Sequence, residues 1–191
     1  MFEGPGCFDS RVAEIWLVRH GETEWSRTGQ HTGRSDLPLL PEGQQMARGL
    51  RERLDRPWGL VLSSPLIRAR DTAELAGLTA TLDDALMEWD YGPAEGRTTA
   101  QMSVDEPWSV WAGPPLGETL EQVANRCRAV LSRLPLDGDS CLVAHGHVLR
   151  ILTAVYLELE PRAAMHLVLR PCGIAVLGRE HAYPALLGWN Q

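Results

Sequence analysis

The sequence predicts an α/β fold around a largely parallel sheet. Two observations carry that reading: short apolar runs alternate with longer segments of helical period, and 191 residues with 44% hydrophobic content suit a single compact core. Residues 14–18, EIWLV, read as the first strand. Residues 40–57 space Met46, Leu50 and Leu54 four apart and stop before Pro57, which predicts a surface helix with one apolar stripe. Residues 59–64, GLVLSS, read as a second strand. It runs into a helix that Ser64 is expected to cap, with Pro65 at the first helical position and Arg68 in its first turns. The clearest helix spans 117–135: Leu120, Val123, Ala124, Cys127, Val130, Leu131 and Leu134 share a face, and Thr119 with Gln122 fits a capping box. Then CLVA (141–144) repeats the pattern of an apolar run ending in histidine and glycine. A mostly buried helix follows up to Pro161, and two short apolar runs in the tail fit sheet strands.

Two stretches stand outside this alternation. Residues 1–13 lack periodicity and carry two glycines and a proline, so a loose leader is expected before a single domain over 14–191. Residues 88–118 are rich in Gly, Pro and Trp; a loop of that length in a compact domain is functional or disordered. Trp89, Trp108 and Trp111 argue against disorder, so a partly ordered cap over a site is expected.

The formal net charge of -7 sets the surface against nucleic acid and anionic membrane, neither of which is expected as a partner. An anionic ligand must instead be held by a local cluster of positive charge. Cys7, Cys127, Cys141 and Cys172 form no CxxC pair, and no N-terminal apolar stretch resembles a signal peptide or spanning helix. A reduced, cytoplasmic protein is the expectation.

Ligands of open α/β sheets collect at the carboxyl ends of the strands. Three strand ends here carry matching groups: Arg19 and His20 after IWLV, Arg68 after VLSS, and His145 with His147 after CLVA. Arginine forks paired with imidazoles describe a pocket for a phosphoryl group, to which free N–H groups of the helix near Ser64 would add partial positive charge. Gly21 and Gly146 would let backbone approach closely. An imidazole nitrogen can attack phosphorus to give a phosphohistidine, and two histidines are at hand. Glu88, next to the expected cap, is placed to protonate the leaving alkoxide.

The segments LVRHGETEW, TGRSDLPL, SSPLIRARDTA, EWDYGPAEG and AHGHVLR together resemble the histidine phosphatase superfamily, in its phosphoglycerate mutase-like branch, over about residues 14–190. Within that branch the motifs are most similar to fungal sedoheptulose-1,7-bisphosphatases. The resemblance implies a three-layer α/β/α sandwich and metal-independent catalysis without a cofactor. It implies His20 as nucleophile, Arg19, Arg68 and His145 as phosphate-pocket residues, and Glu88 as proton donor. It further implies phosphate contacts from Thr23 and Ser26, although many relatives carry asparagine where this chain has Ser26. His147 stands where asparagine is frequent elsewhere and is given a binding role.

The expected activity is hydrolysis of a small phosphorylated metabolite, a sugar phosphate or bisphosphate. One rival is a mutase that passes the phosphoryl group to an acceptor; the roughly thirty residues between Glu88 and the GET helix are fewer than family mutases insert, which favours hydrolysis. The other rival is a silent phospho-ligand module, against which stands the presence of every pocket residue. Trp25, Trp108 and Trp111 either face a sugar or fill volume. His145 and His147, two apart, would face one side of an extended segment, yet no further ligand has metal-site spacing, so no metal is expected. His31, His166 and His181 are expected to be structural or surface residues; Arg150, one turn into the helix after His145, is expected at the surface, with help in holding a second phosphate as its alternative role.

Overall fold

The computed structural model describes residues 13–103, 107–114 and 116–191; all but the last residue of the expected leader, Cys7 included, lies outside them. Strands β1 (Ile15–Arg19), β2 (Leu60–Ser63), β3 (Thr81–Leu82), β4 (Ser140–Ala144), β5 (Ile174–Glu180) and β6 (Tyr183–Trp189) form one sheet in the order β3-β2-β4-β1-β5-β6. The first four are mutually parallel, and β5 runs antiparallel to both β1 and β6. The largely parallel sheet expected from the alternation is therefore present.

Both faces of the central strands are apolar because helices cover both. On one side Leu17, Leu142 and Ala144 pack against α6 (Leu120–Leu131) and α7 (Gly146–Tyr156). On the other, Val18, Cys141 and Val143 meet α2 (Pro41–Gly49), α3 (Arg51–Leu54) and α4 (Ile67–Leu75). This is the three-layer sandwich. Among the described residues the two remaining α-helices are short: α1 (Glu24–Thr28) and α5 (Thr99–Met102).

Local chemistry accounts for the helix ends, and in places moves them. Thr119 and Gln122 form the expected capping box at α6, which ends at Leu131 and leaves Leu134 beyond it. The helix expected over 40–57 is two helices joined at Leu50, with Pro41 in the first turn. Met46 does not belong to the buried stripe; it is 42% exposed, while Ala47, Leu50 and Leu54 are buried. Strict four-residue spacing drifts around a helix of 3.6 residues per turn, and the 47-50-54 line stays on the sheet side. Ser64 and Pro65 likewise precede α4, which begins at Ile67 without a side-chain cap. The helix expected to run to Pro161 stops at Tyr156, after which Glu158 takes a positive φ and Pro161 opens a 3-10 turn.

One contact ties α2 to the loop after β1. A Cβ on Gly21 would lie 2.5 Å from the Gly43 carbonyl oxygen, and one on Gly43 would lie 2.2 Å from that of Glu22. Backbone meets backbone there, so neither position has space for a methyl group. Gly43→Ala is therefore expected to destabilise the protein by about 1–3 kcal/mol through overpacking. Gly49→Ala, in the same helix with nothing within 4 Å of the new methyl, should be neutral to about 1 kcal/mol stabilising. Urea midpoints compare the two, and equal midpoints would contradict the close approach.

Candidate active site

Parallel pairing brings the strand ends together. Arg19 is in register with Ala144 across β1 and β4, and the N–H of His20 donates to the Ala144 carbonyl at 2.9 Å. On the other side of β4, the Ser64 N–H donates to Val143 at 3.0 Å. His20, Ser64 and His145 thus leave three adjacent strands side by side, and the rings of His20 and His145 are 5.1 Å apart, edge to face.

His20 is buried, and its Nδ1 lies 2.7 Å from the carbonyl oxygen of Gly21. A carbonyl only accepts, so Nδ1 carries the proton and Nε2 keeps its lone pair. Burial, then the guanidinium groups of Arg68 and Arg19, hold this imidazole well below its ordinary pKa. It is neutral at physiological pH.

Arg68 is fully buried. Its Nε donates to Nδ1 of His145 at 3.1 Å, and its two terminal nitrogens donate to the carbonyls of Ser35, Thr32 and Gly33 at 2.7–3.1 Å. Four of its five N–H bonds are spent on these. His145 Nδ1 is then an acceptor, which puts the ring proton on Nε2, 2.7 Å from Ser64 Oγ. That contact and the turn before α4 explain why Ser64 does not cap the helix. At the N-terminus of α4, one N–H is already taken: Asp36 accepts from Ile67 N–H at 2.7 Å. Arg19 is spent differently. It donates to the Leu169 carbonyl at 2.7 Å, while its buried Nε has no partner among the described residues. A buried, unpartnered guanidinium N–H calls for an anion.

Arg19, His20 and Glu88 line a cleft of about 270 Å³, together with Trp25, Ser26 and His147. The buried Glu88 carboxyl lies over the first turn of α7: Oε1 accepts from Trp89 and Val148 N–H, and Oε2 from His147 N–H, each at 2.9 Å. Oε2 keeps the second lone pair. His147 belongs to that first turn and not to an extended segment, so it does not share a side with His145 as the two-residue spacing suggests. Its Nδ1 is hydrogen-bonded to Tyr91 Oη. Burial, then Arg150, keeps His147 well below its ordinary pKa, and burial, then Arg68, does the same for His145.

Thr23 and Ser26 form the capping box of α1, each side chain bonded to the other's backbone N–H; Ser26 lines the cleft, and Thr23 is fully buried. Trp108 packs edge-on to His31 at 5.3 Å, and Trp111 against Trp89, His147 and the Arg150 guanidinium, so both stand behind the cleft wall. Trp25 is in the wall itself.

Several lining residues escape the sequence reading. His31, expected to be a structural or surface group, lines the cleft, as do Gln30, Thr32, Tyr91 and Thr99; Arg150 lines it too, which fits its alternative role and not the surface one. His31 packs at a tilt on Tyr91, ring centres 4.9 Å apart, and is held below its ordinary pKa by burial. Tyr91, Thr32 and Arg150 carry a signal in the sequence, since they lie in the motif segments EWDYGPAEG, TGRSDLPL and AHGHVLR. Among the described residues no group of three or more His, Cys, Asp or Glu side chains is arranged to hold a metal ion, and no helix is long and apolar enough to cross a membrane.

A sandwich that gathers a neutral imidazole and a guanidinium with a free buried N–H at the end of a parallel strand, and sets a carboxyl from a neighbouring segment against them, defines a phosphoryl-handling protein built on histidine. The comparisons agree: residues 15–191 match the model of the histidine phosphatase superfamily, branch 1, and the chain belongs to that superfamily. It is 37% identical to an acid phosphatase of Mycobacterium tuberculosis, covering 90% of this chain and 89% of that one. It is 33% identical to the sedoheptulose 1,7-bisphosphatase of Saccharomyces cerevisiae over 75% of this chain and 67% of the relative. A probable phosphoglycerate mutase of Citrobacter koseri is also 33% identical, covering 93% and 90%. The solved structure of a Mycobacterium tuberculosis open reading frame superposes with a TM-score of 0.88 at 34% identity, covering 93% and 97% of the two chains.

The buried imidazoles make stability depend on pH. Unfolded histidines take up protons near pH 6.5, whereas folded His20, His145 and His147 do so only well below it. The stabilisation is thus fully present above about pH 6.5 and is lost as pH falls below it, by up to about 4 kcal/mol per pH unit for three groups. Urea midpoints at pH 7.5 and 5.5 test this; equal midpoints would mean that the folded imidazoles titrate as unfolded ones do.

Proposed function

We propose that the protein hydrolyses a small phosphorylated metabolite, a sugar phosphate or bisphosphate, through a phosphohistidine on His20. The observation that carries this reading is the His20 tautomer: Nδ1–H is fixed on the Gly21 carbonyl, so Nε2 is an unprotonated nucleophile inside a cleft lined by Arg19 and Glu88. The phosphoryl oxygens seat against the unpartnered N–H of Arg19. Arg68 and His145 stand behind His20 as fixed positive and polar backing, which needs no reorganisation as charge spreads over the equatorial oxygens.

Nε2 attacks phosphorus in line with the leaving oxygen. The P–O bond to the alcohol breaks as the P–N bond forms, and Glu88 gives its proton to the departing alkoxide. Glu88, now a carboxylate, takes a proton from water as that water attacks phosphorus. The P–N bond breaks, inorganic phosphate leaves, and neutral His20 with protonated Glu88 is restored.

Support for a second anionic group on the substrate comes from Arg150, a second guanidinium on the cleft, braced on Trp111 at 4.8 Å and on the carbonyls of Ala164 and Met165. The sedoheptulose bisphosphatase among the relatives fits this class. Ser26 and His147 would bind substrate from the wall. Thr23 would act through the turn it caps, and Trp108 and Trp111 by supporting His31 and Arg150.

His20→Ala should lower turnover of an aryl phosphate by about 10³-fold or more. It should also abolish an acid-labile phosphoenzyme trapped from labelled substrate. Oxygen from isotope-labelled water should appear in the released phosphate of the wild type. Full turnover by His20→Ala would overturn the reading, and label-free phosphate with transfer between phosphoglycerates would make the protein a mutase.

A further inference from the structure

We infer that Arg126 is the positioning residue for the Glu88 carboxyl, clamping the backbone that carries it from the side away from the cleft; this rests on the reading of Glu88 as proton donor. Arg126 lies on α6 and does not line the cleft. Its Nη1 donates to the carbonyls of Ala85 and Met87 at 2.7 and 2.6 Å, and its Nη2 to the carbonyl of Glu88 at 3.1 Å. Nε and Nη2 also reach the two carboxylate oxygens of Glu118 at 3.0 and 3.1 Å. One planar fork thus holds three carbonyls of residues 85–88 and a carboxylate, which a lysine ammonium lacks the geometry to do.

Glu118 extends the clamp to the other end of the 88–118 segment. Its carboxylate accepts from Asp90 N–H at 3.0 Å and from Arg34 at 3.3 Å; its N–H donates to the Asp90 carbonyl, and its carbonyl accepts from Trp89 Nε1 at 2.8 Å. The chains meet without room for a side chain: a Cβ on Gly117 would lie 2.3 Å from the Asp90 carbonyl oxygen, and one on Gly92 would lie 2.2 Å from that of Leu116.

Glu88 is consequently held from two sides. The N–H groups of Trp89, His147 and Val148 aim its carboxyl, and Arg126 fixes its backbone. A proton donor works only within hydrogen-bond reach of the leaving oxygen, so loss of the clamp should weaken proton delivery while leaving nucleophilic attack intact. That separates positioning from mere stability, because an alkyl phosphate needs the proton and a dinitrophenyl phosphate does not.

The test measures kcat/KM for glycerol phosphate and 2,4-dinitrophenyl phosphate, and follows the aryl-to-alkyl ratio. Glu88→Gln should raise the ratio about 100-fold, and Arg126→Ala and Glu118→Gln about 10-fold in the same direction. Arg126→Lys should rescue only part of it. If Glu88→Gln raises the ratio but both clamp variants lose activity on the two substrates in parallel, or lose none, the inference is overturned alone. An unchanged ratio in Glu88→Gln would overturn the proton-donor reading and this inference with it. Glu118→Gln keeps an amide oxygen for the Asp90 N–H, so it reads the ratio even if Arg126→Ala does not fold.

Discussion

Two guanidinium groups beside one neutral imidazole form the constraint on which the rest of the site depends. Arg68 is buried and nearly saturated with carbonyl and imidazole acceptors, whereas Arg19 keeps an unpartnered buried N–H. The first is a fixed source of charge, and the second is a donor waiting for an anion. Both discourage protonation of His20, and the Gly21 carbonyl decides which nitrogen stays free. Positive charge is thereby gathered where a phosphoryl group needs it without spending the nucleophile's lone pair on a proton.

The sheet order makes that arrangement possible. Because β4 lies between β1 and β2, with all three parallel, residues 20, 64 and 145 reach one point although more than a hundred positions separate the first from the last. The acid of the proposed reaction comes from elsewhere, on a segment with little regular structure. Its placement therefore relies on polar side chains and helix N–H groups, and not on strand register.

What the sequence made legible follows the same division. Apolar runs ending in Arg19-His20 and Ala144-His145 announce strand ends, and the Thr119–Gln122 box announces a helix start, since both are local patterns. Arg68 was readable as a pocket residue, but its saturation by the carbonyls of Thr32, Gly33 and Ser35 was not, because those partners lie more than thirty positions away. The places of His31 and Arg150 in the cleft wall are hidden from the sequence for the same reason. What makes them lining residues is packing against Tyr91, Trp108 and Trp111, and no periodicity encodes contacts made by an irregular segment. His147 lines the cleft, and only its expected side relative to His145 differs: a helix starting at Gly146 turns it away from the direction that a strand would give.

Nitrogen-15 NMR of the imidazoles between pH 5.5 and 7.5 tests the central electrostatic claim most directly. The account requires His20 to show a protonated Nδ1 and an unprotonated Nε2 throughout, with His145 in the opposite tautomer. A His20 ring that titrates near its ordinary value, or carries its proton on Nε2, would contradict it.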